Sequence, residues 1–203
     1  MVDNIIIAVD DSPEEAYRIF FESCADSIRQ KAVEAGVTHH RIGSANLNAD
    51  FINKTIQGIN NTFAFSAFSH GTNTALVCGA NEYISTTENS YHFVTALFYS
   101  FACLCGNELK DELVRNRVGC FWGYQSEVNF CPEIPEFVDC ATIGLKSLLD
   151  GDTLKVARET TNICYDAAIA ELYVTPNSFV QMALLNANRD ALVIVGEETF
   201  SLN

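Results

Sequence analysis

The feature that most constrains the fold is a set of short apolar runs that stop abruptly at polar residues or cysteine. Residues 5–9 (Ile-Ile-Ile-Ala-Val) are followed by Asp10, and residues 63–68 (Phe-Ala-Phe-Ser-Ala-Phe) by Ser69. A longer apolar stretch, residues 92–102, ends at Cys103. Strands without a regular apolar–polar alternation are buried on both faces, which is typical of parallel sheets covered by helices. These runs therefore predict a mostly parallel central sheet.

Helical patterns lie between these strands. Ser12, Pro13 and Glu15 form a helix start signal with a capping box, and apolar residues then recur at helical spacing until Gly36. We expect further helices over residues 48–59, 108–114, 137–149 and 153–172, the last one capped by Asp152. Further strands are expected at 40–42, 119–122 and 191–195, with a hairpin over 75–84. The alternation predicts a three-layer α/β sandwich. Because neither a linker nor a repeat interrupts residues 1–203, we expect a single domain.

The charge balance restricts the partners. The chain has 12 basic and 26 acidic residues, a net charge of −14, which repels nucleic-acid phosphates and anionic lipid. We therefore expect neither nucleic acid nor membrane as a partner. Basic peptides suit this surface better, although an acidic surface often serves solubility alone. The chain has no apolar run near the ~18 residues of a spanning helix and no cationic leader, so we expect a cytoplasmic location.

The eight cysteines do not form a pattern typical of zinc sites, because none stands in a Cys-x-x-Cys pair. In the cytoplasm we expect them to be reduced, and most to fill core positions. His39 and His40 also lack partner ligands at suitable spacing. We expect no metal site and no cofactor.

Two of the predicted strands end in residues that form a nucleophile and a base. His70 and Gly71 follow the strand 63–68, and Cys103 follows the run 92–102. If these strands are neighbours in a parallel sheet, both side chains lie at the same edge, where active sites gather. An imidazole beside a thiol, with a helix start close by, favours the reactive thiolate. The backbone N–H groups of Gly71 and Cys103 are then suited to form an oxyanion hole.

These segments resemble the caspase-like (clan CD) cysteine peptidases. Residues 68–71 (Phe-Ser-His-Gly) are similar to the strand–His-Gly motif of that clan. Residues 100–106 (Ser-Phe-Ala-Cys-Leu-Cys-Gly) resemble the Ser-Ala-Cys-x-Thr-Gly stretch of its CHAT branch. The helix, glycine turn and Trp-bearing strand that follow are similar as well, so the resemblance covers residues 63–173. Order and spacing carry most of it, because each motif is short.

The resemblance implies a caspase-like fold and a cysteine endopeptidase in which His70 is the general base and Cys103 the nucleophile. It also implies a regulatory protein partner and a setting such as bacterial defence. One departure is Cys105, which stands where the branch has Thr or Ser and is an alternative nucleophile or a second thiol near the site.

The same resemblance implies that the pocket for the P1 residue lies near the ends of the first strand and of the strand after the nucleophile helix. Asp10, Asp11, Gln125 and Glu127 stand there, and carboxylates favour a basic P1 residue. The alternative that Asp10 and Asp11 merely end a strand stays open. So does an alternative function, a catalytically silent scaffold or interaction module, because caspase folds without a working dyad act by association.

Overall fold

The fold is described from a computed structural model, for residues 2–203. Within this range the strands are β1 (Asn4–Val9), β2 (Thr38–Ile42), β3 (Phe63–Phe68), β4 (His70–Gly71), β5 (Ala75–Cys78), β6 (Asn81–Ser85), β7 (Leu97–Phe101), β8 (Cys120–Tyr124) and β9 (Leu192–Gly196). The α-helices are α1 (Arg18–Glu34), α2 (Ala49–Gln57), α3 (Glu108–Arg115), α4 (Glu136–Leu149), α5 (Leu154–Val174) and α6 (Phe179–Ala191).

Six of these strands form the central sheet, in the order β2-β1-β3-β7-β8-β9. Neighbouring strands are parallel throughout except for the last pair, β8 and β9, which is antiparallel. Strands β4, β5 and β6 form a small antiparallel sheet directly after β3. The predicted α/β sandwich with a mostly parallel central sheet is therefore confirmed.

Helices cover both faces of the sheet, which explains why its inner strands are apolar throughout. One core contains side chains of α1, α4, α5 and α6, and the other contains those of α2, α3 and the β5–β6 hairpin. Trp122 of β8 is fully buried in the first core and stacks on Tyr99 of β7, with ring centroids 5.2 Å apart. Burying each such large side chain stabilises the fold by about 1.5–3 kcal/mol.

Two element boundaries differ from the sequence prediction in the part of the chain that shapes the site. Helix α1 begins at Arg18 rather than near Ser12, because the Ser12 hydroxyl donates to the Asp10 carboxylate at 2.8 Å and does not cap a helix. The predicted strand over residues 92–102 is shorter, since Thr95 has a φ of 61° and interrupts the extended backbone. A short 3₁₀ helix, Ser90–Phe93, takes up the start of that segment.

The C-terminal third contains two further differences. Helix α5 is capped by Thr153, whose hydroxyl accepts from the Val156 N–H, and not by Asp152, which accepts from the Ser147 hydroxyl at 2.6 Å. Helix α6 was not predicted from the sequence, because the spacing of its apolar residues is too irregular to indicate a helix. No helix among residues 2–203 is long and apolar enough to cross a membrane.

Candidate active site

The sheet register brings the ends of β3 and β7 together. These strands are parallel neighbours, and Phe68 lies opposite Phe101, so His70 and Cys103 each lie two residues beyond a paired position. Parallel strands lie about 4.8 Å apart, so the turns that follow these two strands start side by side at the carboxyl edge. The turn that carries Gly71 packs directly on the cysteine turn, because a β-carbon on Gly71 would lie 2.5 Å from the Cys103 carbonyl oxygen.

His70 is held by a carboxylate that the sequence analysis assigned to helix capping. Its Nε2 lies 3.0 Å from Glu15 Oε2, and the other carboxylate oxygen of Glu15 accepts from the Tyr17 N–H at 2.9 Å. The Glu15 side chain is only 14% exposed. The ring of His70 also contacts Tyr17 and Phe21, with centroids 5.6 and 5.7 Å away. A buried carboxylate on Nε2 leaves Nδ1 as the nitrogen available for proton transfer.

Cys103 lies in a turn between β7 and α3, partly buried. Its Sγ accepts from the Val128 N–H at 3.4 Å. Burial raises the pKa of Cys103; the Val128 N–H opposes this, the Glu127 carboxylate adds to it, and the net pKa lies above the ordinary thiol value. The expected helix N-terminus does not reach the thiol, because α3 begins only at Glu108. The resting group is therefore a protonated thiol, which needs a base to become a nucleophile.

Cys105 lies two residues further on but belongs to the core. Its side chain is fully buried, and its Sγ lies 3.1 Å from Ser100 Oγ and 3.2 Å from the Ala102 carbonyl oxygen. Burial raises the pKa of this thiol as well. Cys105 does not line the cavity that Cys103 lines.

A cavity of about 370 Å³ opens beside Cys103. It is lined by residues from the turns after β1, β3, β7 and β8, namely Tyr17, Gly71, Cys103, Leu104, Glu127, Val128, Asn129 and Phe130. The rings of Tyr17 and Phe130 meet edge to face, with centroids 4.8 Å apart, and form one wall. The size and the mixture of aromatic and polar groups suit a peptide side chain.

The four residues expected around a P1 pocket lie in different environments. Glu127 lines the cavity beside Cys103. Gln125 is exposed, and its backbone carbonyl accepts from the Asn107 amide. Asp10 is fully buried and accepts from the Ser12 N–H and hydroxyl. Of these four residues, only Glu127 lines the cavity.

Asp11 is occupied by partners from the strand β2 region. Its carboxylate accepts from the Ser44 N–H and hydroxyl, both at 2.8 Å, and pairs with Arg41 at 3.0 Å. Burial alone would raise the pKa of Asp11, but the bonds from Ser44 and the charge of Arg41 lower it below the ordinary carboxylate value. Asp11 thus serves the packing of the turn after β1.

No metal-binding group emerges from the fold. Among residues 2–203, no three His, Cys, Asp or Glu side chains gather where they would hold a metal ion. His40, considered above, instead makes a 3.0 Å hydrogen bond with Asn4 between β2 and β1.

Comparison with known proteins places the fold. Neither a protein-family profile nor a curated protein matches the sequence. Of the chains in solved structures, 33 match, among them the Arg-specific cysteine proteinase gingipain R, with a TM-score of 0.65 and 11% sequence identity. That match covers 98% of this chain and 47% of the gingipain chain, so this protein spans about half the length of that relative. The chain therefore has a caspase-like fold.

Proposed function

We propose that the protein is a cysteine endopeptidase with Cys103 as nucleophile and His70 as general base. The observation that carries the proposal is the register of β3 and β7, which brings the turns of both residues to the same edge of the sheet, together with the cavity beside Cys103. The hydrogen bond between His70 and Glu15 supports it, because a carboxylate on the far nitrogen of a histidine is typical of a base that must carry a proton.

The chemistry proceeds in two steps. His70 takes the thiol proton of Cys103 as Sγ attacks the scissile carbonyl carbon, and the C–N bond then breaks while His70 returns a proton to the leaving amine. Water next hydrolyses the thioester and regenerates the thiol. The negative charge on the former carbonyl oxygen is held by the N–H groups of Gly71 and Cys103. Among residues 2–203 the Cys103 N–H donates to no backbone oxygen.

Glu15 extends the dyad that the sequence suggested. With its Oε2 on Nε2 of His70, it orients the ring and stabilises the imidazolium that forms during attack. The raised pKa of Cys103 agrees with the role of His70 as general base, because the thiol stays protonated until His70 removes its proton.

The substrate class we propose is a protein chain with a basic P1 residue. Glu127 lines the cavity and its charge acts on the Cys103 thiol, and the aromatic wall of Tyr17 and Phe130 suits the flat face of a guanidinium. The solved relative is titled an Arg-specific proteinase, which agrees with this preference. Asp10 and Asp11 do not line this cavity, so they are not part of the proposed P1 pocket.

The assignment to the CHAT branch is part of this proposal and rests on the motifs of residues 63–173. Control by a regulatory protein and a role in bacterial defence rest on the same resemblance. A cytoplasmic location is proposed on the sequence argument alone.

The test compares the wild type with Cys103→Ala and with the matched thiol variant Cys105→Ala on a mixture of many proteins, reading new N-termini by mass spectrometry. Cleavages should vanish in Cys103→Ala, persist in Cys105→Ala and follow Lys or Arg. Cleavages that persist in Cys103→Ala and vanish in Cys105→Ala would exchange the roles of the two thiols.

The scaffold alternative has one observation in its favour. The hydrogen-bond partner of the Cys103 thiol among residues 2–203 is the backbone of Val128 and not His70, as expected of a thiol at rest or of one that never reacts. Thiol labelling separates the two cases. A working dyad makes Cys103 react far faster in wild type than in His70→Ala, whereas equal rates, together with no cleavage, would establish the scaffold.

A further inference from the structure

One wall of the cavity beside Cys103 is a chain segment that is held in place by helix α6. Residues 125–130, which we call the wall segment, follow β8 without regular structure, and Val128 of this segment contacts the thiol. The far side of the segment lies on the C-terminal turn of α6. The Gln125 N–H donates to the Ala191 carbonyl at 2.9 Å, which anchors the start of the segment.

Asn188 provides the second anchor, one helical turn before Ala191. Its Oδ1 accepts from the Asn129 N–H at 2.8 Å, and its Nδ2 donates to the Asn129 carbonyl oxygen. The side chain is 1% exposed, so these bonds form away from water. One amide thus satisfies both backbone groups of a single wall residue, as a neighbouring strand would, and a buried polar group paired in this way fixes its partner in place.

The residue next to this anchor is the one that touches the nucleophile. The Val128 N–H points at Cys103 Sγ over 3.4 Å, and on the other side of Asn129 the Phe130 ring stacks on Phe20 at 4.1 Å. The position of the Val128 N–H therefore depends on Asn129, which is fixed by Asn188 and by the stacking of Phe130. A backbone N–H that donates to sulfur favours the negatively charged form.

We propose that Asn188 is a positioning residue that holds the Val128 N–H on Cys103 Sγ and so stabilises the thiolate formed during catalysis. The inference rests on the proposed function only in taking Cys103 as the nucleophile. Asn188 itself touches neither thiol nor substrate, and acts through the wall segment.

Other charged groups around the thiol are accounted for. Glu127 on the wall segment disfavours the thiolate, while His70, paired with Glu15, lies two residues beyond the end of β3. On α6, the charged neighbour Arg189 is turned away, paired with Asp166 of α5 at 2.7 Å. The other thiol of the turn, Cys105, is buried beneath it. A shift on changing Asn188 therefore does not arise from removal of a charge.

The test is the pH dependence of Cys103 alkylation by iodoacetamide in the whole protein, followed on the Cys103 peptide by mass spectrometry. In Asn188→Ala we expect the midpoint to rise by about one pH unit, so that alkylation near neutral pH slows about tenfold. The matched control is Asn186→Ala on the same helix, whose amide bonds to Met182 and Arg189 and to no other group of residues 2–203. Its midpoint should equal that of wild type.

Two further variants complete the test. Val128→Pro removes the donor itself, and its shift should not add to that of Asn188→Ala in the double variant, because both changes remove one interaction. If Asn188→Ala shows no cooperative thermal transition, the same comparison is made with Asn188→Gln. That variant keeps the amide group but displaces it. A folded Asn188 variant with the wild-type midpoint, or fully additive shifts, would overturn the proposal.

The readout separates this inference from the proposed function. Alkylation requires no substrate, so a shifted midpoint without any cleavage of proteins would leave the positioning role standing and remove the peptidase. Cleavage that depends on Cys103, together with an alkylation midpoint that does not shift in Asn188→Ala, would leave the peptidase standing and remove the positioning role.

Discussion

Replacing Gly71 by alanine tests the close contact between the histidine and cysteine turns. The added β-carbon would lie 2.5 Å from the Cys103 carbonyl oxygen and 3.1 Å from the Ala102 β-carbon. An ordinary carbon–oxygen contact is about 3.4 Å, so the two turns must separate by almost 1 Å, and the atom in the way is backbone. A displacement of that size costs roughly 100-fold in kcat/KM, and overpacking costs about 1–3 kcal/mol, or about 2–12 °C in Tm.

The assay is hydrolysis of a peptide substrate taken from the cleavage map, together with a thermal melt. Gly58→Ala is the matched control, because Gly58 at the end of α2 has a φ of −76° and its nearest contact would be an ordinary 3.4 Å. That variant should keep wild-type activity and Tm. If Gly71→Ala also kept both, the two turns would not pack as described, and the dyad geometry would have to be abandoned.

Three further predictions concern charged groups at or near the site. Glu15→Gln should lower kcat at least tenfold with little change in KM, since it weakens support for the imidazolium; steady-state kinetics with unchanged kcat would contradict the role given to Glu15. Glu127→Gln should move the alkylation midpoint of Cys103 to lower pH, because the Glu127 charge raises the pKa of that thiol, and should reduce cleavage after Lys and Arg; new N-termini with an unaltered P1 distribution would count against a Glu127 pocket. Asp11→Asn should remove part of the acid sensitivity of folding. The lowered pKa of Asp11 means that its stabilisation is full above the ordinary carboxylate range and is lost as pH falls through the folded-state value, so urea unfolding should show the variant's deficit at pH 6 shrinking towards pH 2.

The predictions that succeeded depended on patterns that one strand or helix carries by itself. The strand Phe63–Phe68 was located to the residue, because all six of its side chains form an unbroken buried run that begins after the exposed Thr62. The sheet was expected to be parallel for the same reason, and the structure shows that β3 and β7 are neighbours, which the sequence analysis had left as a condition. The prediction failed where a side chain bonds away from its local segment. Ser12 and Glu15 match the capping-box pattern. In the structure, however, Ser12 bonds to Asp10, and Glu15 bonds to His70, 55 residues away in sequence.

Groups around the site that come from distant segments were not visible in the sequence at all. Asn188 contacts Asn129 across 59 residues, and Val128 contacts Cys103 across 25. No periodicity encodes such pairs, since each depends on how α6 packs beside β8 and on the path the chain takes after it.

By itself the sequence determined the class of fold, most of its strands and helices although not α6, and the two strand ends on which a thiol and an imidazole stand. Burial of apolar runs is a property of each segment, so it can be predicted locally. Tertiary structure alone decided that Phe68 pairs with Phe101, that Arg41 neutralises Asp11 while Glu127 faces the cavity, and that Cys105 is buried while Cys103 is not. These outcomes follow from the register and packing between segments. The free energy of such an interaction depends on both segments, so it cannot be read from either one alone.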